Sequence, residues 1–463
     1  MNKIFVDNFA GGGGASTGIE LAIGKSVDIA INHDPDAIAM HKVNHPDTKH
    51  YCENIWEVDP IEACAGNQVA LAWFSPDCKH FSKAKGGKPV DKNIRGLAWV
   101  AIKWAKLVKP DVIMLENVEE FKDWCPLNND GYPDKSRKGE TFKEFVTGLE
   151  KVGYAVEWRE LRACDYGAPT TRKRLFLIAR CDNKPIVWAE ATHGHPDSLE
   201  VRSGMLKAWR TAAEIIDWSI PGKTIFNRKK PLADNTLKRI ARGIQKFVID
   251  SPDPFIVRIG QTGFGKDKLQ YSINQPLTTI TTKAEHLLVA PTIMVNTTQH
   301  SGSNIDQPIK TITTSGNHAI ITSFLAKHYG GNYKGAGSDL FNPIGTITTV
   351  DHHAIVTAFL TKFYSSDVGQ SLDAPLHTIL TNNKIGIVMV KGEEYKITDI
   401  TMRMLQPREL FNAQGFPDEY IIDVDADGNV YSKTKQVARC GNAVSPEIPK
   451  ALVRANLPEY CRI

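Results

Sequence analysis

The stretch Ile4-Phe-Val-Asp-Asn-Phe9-Ala-Gly-Gly-Gly-Gly14-Ala-Ser-Thr-Gly opens on three apolar residues, passes through a run of four glycines and then takes on a helical pattern. A short strand that turns through glycine into a helix, predicted here to start near Ser16, is the first half of a βαβ unit. Its glycines let the backbone approach a nucleotide-like ligand at the helix N-terminus, although a plain tight turn would use them equally well. The spacing is not Gly-x-Gly-x-x-Gly, which argues against a dinucleotide-dependent oxidoreductase. Further apolar runs at Val27–Ile31, Ala70–Phe74, Val112–Leu115, Val156–Leu161 and Leu175–Ala179 alternate with helical stretches. Strands spaced in this way predict an α/β fold with a doubly wound, mostly parallel sheet.

Composition narrows the class. The chain has 463 residues, with 56 Lys and Arg against 52 Asp and Glu, a net charge of +4 that excludes a basic tail protein or an acidic solvating chain. Hydrophobic residues make up 42% and charged residues 23%, as in soluble globular proteins, and the length suits two or three domains of about 100–200 residues. No apolar run approaches the roughly 18 residues of a membrane span, and the opening segment meets Asp7 after three apolar residues, so a cytoplasmic protein without a signal peptide is expected. The eight cysteines form no Cys-x-x-Cys pair and no cluster with histidine, which argues against a disulfide scaffold and a metal site alike.

Three regions are expected: 1–184, 185–394 and 395–463. The middle one carries a basic stretch from Arg202 to Lys246, with eleven Lys and Arg against three acids, suited either to a solvated helical face or to nucleic acid. Between 275 and 381 the chain repeats itself: Pro276-Leu-Thr-Thr-Ile-Thr-Thr, Pro308-Ile-Lys-Thr-Ile-Thr-Thr, Pro343-Ile-Gly-Thr-Ile-Thr-Thr and Pro375-Leu-His-Thr-Ile-Leu-Thr, with the prolines 32, 35 and 32 residues apart. His286, His318 and His353 follow the last threonine of the first three copies by four positions. Each unit reads as a pair of short strands that must stack on its neighbours. After about residue 395 helical patterns return, through Arg403–Asn412 and Pro446–Ala455.

Four further segments bear on chemistry. Asn32-His33-Asp34 ends the second strand, where doubly wound folds place a ribose ligand and where turn formers also gather. Ser75-Pro-Asp-Cys78-Lys-His-Phe-Ser82 puts a cysteine in a polar loop after an apolar strand, with Lys79, His80 and Lys83 to favour its thiolate. Glu116-Asn-Val118 sets a carboxylate at a strand end, placed to hydrogen-bond a heterocycle nitrogen or to sit on the surface. Asp165-Tyr-Gly-Ala-Pro-Thr-Thr-Arg172-Lys-Arg174 leads into a strand, and alternate arginines there would share one face.

In this order the segments resemble the cytosine-5 DNA methyltransferase family. Pro407-Arg-Glu-Leu-Phe-Asn-Ala-Gln-Gly-Phe-Pro417 and Gly441-Asn-Ala-Val444 are similar to two more of its motifs, so the likeness covers about 1–180 and 395–460. The resemblance implies that the last segment returns to complete the cofactor domain and that 185–394 is a smaller, β-rich target-recognition region. It implies S-adenosylmethionine as cofactor, held by Phe9, Ala10, Gly11, Gly13 and Gly14 with Asn32, His33, Asn54, Ile55, Leu97, Asn442 and Ala443. Cys78 would attack carbon 6 of a flipped cytosine, Glu116 would hold the ring nitrogen and amine, and Arg174, supported by Arg172, the base carbonyl. The implied partner is double-stranded DNA, with a restriction endonuclease as functional companion, no membrane, and a monomer acting on one strand at a time.

Four positions depart from the family pattern. Asp77 replaces the Pro before the nucleophile, and an acid there opposes thiolate formation while Lys79 offsets it. Asn32 with His33, Asn54 and Thr170 replace a Glu with an aromatic residue, an Asp and a Gln. Two other readings stay open: a tRNA cytosine-5 methyltransferase, against which the long repeat region speaks, and a catalytically silent DNA-binding relative, which Asp77 favours. The repeats are expected either to form a duplicated β scaffold or to present their Thr-Ile-Thr-Thr loops and histidines to a DNA groove. On the second view, deleting one unit should change the methylated sequence and spare cofactor binding.

Overall fold

The computed structural model describes residues 3–76, 96–130, 132–217, 219–221, 223–226, 229, 231 and 403–462, with the backbone of strands between 255 and 402. The chain divides into two compact units, one made of Met1–Ala168, Arg172–His193 and Gln414–Ile463, the other of Pro169–Thr171 and Gly194–Ala413. Among the described residues no helix is long and apolar enough to cross a membrane.

The first unit is built on a seven-stranded sheet: β1 (Ile4–Asn8), β2 (Ile29–Ile31), β3 (Lys49–Tyr51), β4 (Val69–Phe74), β5 (Val112–Asn117), β6 (Ala155–Arg162) and β7 (Lys173–Arg180), in the order β3-β2-β1-β4-β5-β7-β6. β1 pairs in parallel with β2 and β4, β2 with β3, and β4 with β5. The hairpin of β6 and β7 closes the sheet in antiparallel fashion on β5. The sheet is thus mostly parallel, as the alternation of strands and helices predicts. Lys-His-Tyr of β3 escapes a hydrophobicity reading because it is three residues long and not apolar. The strand order reverses between β1 and β4, and in open α/β sheets ligands bind at the carboxyl ends of strands beside such a reversal.

Successive residues of β1 feed opposite faces, as strand geometry requires. Phe5 packs in a cluster with Ala15, Ile19 and Ala22 of α1 (Gly14–Ile23). Val6 packs in another with Phe74, Leu115 and the helices Val100–Leu107 (α4, after α2 at Pro35–Asn44 and α3 at Pro60–Cys64) and Glu140–Lys151 (α5). Burial on both faces accounts for the continuous apolar runs of β4 and β5. The C-terminal helices are α6 (Pro407–Gln414), α7 (Lys433–Asn442) and α8 (Glu447–Asn456). α8 lays Ile448, Leu452 and Val453 into the Phe5 cluster, and a Cβ on Gly18 of α1 would run into the Pro446 carbonyl, so the two helices pack at backbone distance. The last fifty residues therefore belong to the first unit and cover one face of its sheet.

Two expected boundaries shift. α1 starts at Gly14 rather than near Ser16, with Gly13 as its cap. Arg403 ends the strand Glu393–Arg403, and the helix expected from that residue begins at Pro407, whose fixed φ suits a first helical turn.

In the second unit a ten-stranded sheet carries His286–Val295, His318–Lys327, His353–Lys362 and Glu393–Arg403 as successive antiparallel neighbours. Each of the first three begins on the histidine of its repeat, and these strands are ten residues long rather than short. The register pairs Val295 with His318, Lys327 with His353 and Ile355 with Arg403. His286 and His353 thus stand at one end of the sheet and His318 at the other. Ile280–Thr282 and Thr346–Thr349, from the first and third repeats, pair in parallel. The Thr-Ile segments of the second and fourth repeats and most of the basic stretch after 226 lie outside the described residues.

Candidate active site

Both sides of the strand reversal are anchored by backbone. β1 runs into Phe9, whose φ of 66° is the left-handed conformation that starts the turn. Ala10 donates its N–H to Ile31 O of β2 at 3.1 Å, and Gly13 donates to Ala10 O at 2.9 Å. On the other side Ser75 donates to Asn8 O at 3.2 Å, while Trp73 Nε1 donates to Ser75 Oγ at 2.8 Å. The loop that follows β4 is thereby rooted against the end of β1.

The glycines divide their work. A Cβ on Gly12 would lie 3.1 Å from Arg439 O, one on Gly13 would overlap the Tyr420 hydroxyl, and one on Gly14 would overlap the Val444 carbonyl. Tyr420 donates its hydroxyl to Gly12 O at 2.9 Å. These three glycines are required by the chain's own C-terminal segment. At Gly11, with φ of 53°, the nearest atom to an added Cβ among the described residues is Phe9 O at 3.6 Å, so with respect to them this side of the turn is open. Phe9 and Leu97, both partly buried, border the apolar cluster that contains Ile55.

The other positions named for the cofactor differ in what occupies them. Asn32 Oδ1 accepts the N–H of Asp34 at 2.9 Å, the turn-forming alternative. His33 is exposed. Asp34 caps α2 through the N–H groups of Asp36 and Ala37 and forms an ion pair with Arg439 at 2.6 Å. Burial alone would raise the Asp34 carboxyl, but the Arg439 guanidinium more than reverses this and holds it below the usual carboxylate range. Asn54 is exposed and accepts from the Trp56 N–H at 3.2 Å. Asn442 is exposed as the last residue of α7, and Ala443 is buried behind it.

At the end of β5, Glu116 is 8% exposed and stands 3.4 Å from Arg174 Nε. The β5–β7 register, with Glu116 opposite Phe176 and Asn117 opposite Leu175, brings the two side chains to one place. Asn117 Nδ2 donates to Pro76 O at 3.2 Å, tying the loop after β4 to β5. Cys78 and Asp77 lie outside the described residues, two and one positions beyond that tie. Arg172 departs from expectation. β7 begins at Lys173, Arg172 O just before it accepts the N–H of Ala163 at 2.9 Å, and the Arg172 guanidinium donates to Gly441 O at 3.2 Å. Arg174 thus meets Glu116, while Arg172 holds the Gly441-Asn-Ala-Val turn.

A polar layer that the motif reading missed lies behind the turn. Asp7, fully buried, accepts from Ser16 Oγ at 2.7 Å, and His41, His45, His50 and Glu20 line up beyond it. The available signal was the spacing of His41 and His45, four apart on one helix face, beneath a strand that ends in an acid. Among the described residues no group of three His, Cys, Asp or Glu has the geometry for a metal ion.

A family model described as C-5 cytosine-specific DNA methylase matches residues 4–456. The chain belongs to this family. Among curated relatives, the Type II methyltransferase M.AgeI of Thalassovita gelatinovora is 29% identical over 194 residues, 41% of this chain and 42% of that protein. The Type II methyltransferase M.AquIA of Picosynechococcus is 26% identical over 227 residues, 47% of this chain and 88% of that protein. The match thus spans less than half the length of the first of these relatives. A crystal structure of DNMT2 from Spodoptera frugiperda aligns over 98% of this chain and 99% of its own with a TM-score of 0.50 and 13% identity, a likeness of fold. In this chain the open side of the Gly11 turn and the Glu116–Arg174 pair fall on opposite sides of the β1/β4 reversal.

Proposed function

We propose that this methylase is a DNA (cytosine-5-)-methyltransferase that modifies cytosine in a specific duplex sequence with S-adenosylmethionine. The observation that carries the reading is the Glu116–Arg174 pair, held 3.4 Å apart at the carboxyl end of β5 and tied through Asn117 to the root of the Cys78 loop. An acid and a guanidinium side by side match the donor and acceptor edge of cytosine: Glu116 takes the ring nitrogen and exocyclic amine, and Arg174 the carbonyl oxygen.

The residues present fit the cofactor: among the described residues Gly11 leaves its side of the turn open, Phe9 and Leu97 are partly exposed apolar residues that border the Ile55 cluster, and Asp7 Oδ1 is buried with no partner. Phe9, Ala10, Gly11, Gly13 and Gly14 would hold it with Leu97, Ile55 and Asn442. When bound, S-adenosylmethionine supplies an electrophilic methyl group on a sulfonium. Cys78 adds through its thiolate to carbon 6, which makes carbon 5 nucleophilic. Glu116 shares a proton with the ring nitrogen, which offsets the negative charge that develops on the ring as Cys78 adds. Once carbon 5 carries the methyl group, its proton passes to water and the Cys78 thiolate is expelled, which restores the aromatic ring. A thiolate cannot reach a base inside a stacked duplex, so the target must be flipped out, which costs a few kcal/mol. Residues 185–394 serve target recognition, the chain acts as a cytoplasmic monomer, and its relatives' Type II designation suggests a restriction endonuclease as companion.

The test is expression in cells that lack cytosine methylation, beside Cys78→Ala, with bisulfite sequencing of the carried plasmid. Protection in one sequence context that is absent from the variant is expected. No protection from a folded protein that binds S-adenosylmethionine would overturn the DNA reading and point to an RNA substrate or a silent binder.

A further inference from the structure

Four side chains from four elements form one line beneath the cofactor turn. Ser16 Oγ of α1 lies 2.7 Å from Asp7 Oδ2 at the end of β1, His41 Nε2 of α2 lies 2.9 Å from Ser16 Oγ, and His50 Nε2 of β3 lies 2.8 Å from His41 Nδ1. Asp7, Ser16 and His41 are fully buried, whereas His50 is partly exposed. The line therefore connects solvent to a carboxyl group that solvent does not reach.

Each link can run in either direction, because hydroxyl and neutral imidazole are both donor and acceptor. With Asp7 ionised, Ser16 donates to Asp7, His41 donates from Nε2 to Ser16, and His50 donates to His41 Nδ1. With Asp7 protonated, the order inverts: Asp7 donates to Ser16, Ser16 to His41 Nε2, and His41 from Nδ1 to His50 Nε2. The second arrangement holds one proton more. Water delivers it at His50 and it is counted at Asp7, with no heavy atom displaced.

The groups that face this line are Glu20 and Thr17 of α1, Lys42 of α2, His45 just past its end, the backbone of Thr48 against the His50 ring, and Tyr420. Glu20 is engaged by His45 Nδ1 at 2.7 Å, His45 Nε2 lies 3.3 Å from Thr17 Oγ1, and Lys42 acts on His50 from the solvent side. None is a cation on Asp7, whose Oδ1 has no partner among the described residues. We propose that Asp7 is a positioning residue for the positive charge of S-adenosylmethionine and that its proton leaves through Ser16, His41 and His50 when the cofactor binds. Burial pushes the Asp7 carboxyl up to about 7, so near neutrality the proton is there to be released. Burial, then Lys42 and His45, lower His50 to about 4, and burial with its two histidine neighbours lowers His41 well below the usual range, so both are neutral and free to pass a proton.

The inference rests on the cofactor reading, and two measurements keep the failures apart. The first, on the full chain without ligand, follows the His41 ring tautomer by nitrogen NMR between pH 6 and pH 8. A change from Nδ1–H to Nε2–H is expected in the native protein and none in Asp7→Asn; a tautomer that does not change with pH would overturn the relay. The second is calorimetry of S-adenosylmethionine binding in two buffers of different protonation enthalpy. Release of about half a proton at pH 7, an affinity that rises with pH up to neutrality, and loss of both in Asp7→Asn are expected. Binding without proton release, or the same pH slope in Asp7→Asn, would overturn the role toward the cofactor. Absence of any binding would sink the cofactor reading and leave the tautomer result to judge the relay. If Asp7→Asn fails to fold, Ser16→Ala, which cuts the line after its first link, replaces it.

Discussion

Asp7 shows how a single buried carboxyl sets the pH response of the fold. In the unfolded chain it titrates near 3.8, and in the native state burial moves it to about 7. The folded state therefore binds more protons between these values, so the stability due to this group falls as pH rises from about 4 to about 7 and stays lost above. Asp7→Asn keeps the shape and a partner for Ser16 while removing the charge. It is expected to stabilise the protein more at pH 8 than at pH 5, by a difference of about 2–3 kcal/mol, read as a larger rise in melting temperature at the higher pH. Equal effects at the two pH values would contradict the assignment. Glu116 and Arg174 were legible in the sequence because both sit where an apolar strand meets polar residues. The Asp7 line was not, since Asp7, Ser16, His41 and His50 become neighbours only when α1, α2 and β3 pack. For Arg172 the sequence offered only its spacing from Arg174, and the partner its guanidinium takes in the fold, the Gly441 carbonyl, lies 269 residues away in the chain.

At the scale of elements, the turn between β1 and α1 is gripped by the C-terminal segment from one side and open on the other. Gly14→Ala would press its methyl group into the Val444 carbonyl and is expected to cost about 3 kcal/mol, seen as a lower melting temperature with or without ligand. Gly11→Ala meets no such wall. Its left-handed φ of 53° makes the substitution cost about 1 kcal/mol, and it is expected to fold but to lose cofactor affinity. Melting curves with and without S-adenosylmethionine separate the two, and a Gly11→Ala protein stabilised by the cofactor as strongly as the native one would contradict this division. A run of glycines announces that something approaches the backbone without saying what. Only the packing of Arg439, Tyr420 and Val444 shows that three of the four serve the chain itself. For the same reason the sequence could not tell a ribose ligand from a turn former at Asn32, whose Oδ1 is used by the turn.

Over the whole molecule, the first unit is assembled from segments more than two hundred residues apart in sequence, and the β-rich unit is threaded between them. The α/β class was readable from spacing alone because burial on both faces leaves long apolar runs. The order of strands in the second unit was not, because the repeats look alike in either direction. Their antiparallel pairing carries a consequence of parity. The chain leaves this sheet at Arg403, opposite Ile355, at the end that also holds His286 and His353. Remove one repeat, and every later strand points the other way, so the exit moves to the far end of a ten-residue strand, about 33 Å off. Remove two, and the exit returns to its place. The antiparallel pairing thus replaces the expectation, drawn from the repeats alone, that one unit could be deleted with cofactor binding spared: a single-unit deletion is expected to give insoluble or cofactor-free protein and a two-unit deletion a folded one, read from soluble yield and binding of S-adenosylmethionine, and a well-folded single-unit deletion would contradict the pairing. An array built in this way can lengthen or shorten only by even numbers, much as a zigzag path returns to the bank it started from only after an even number of crossings.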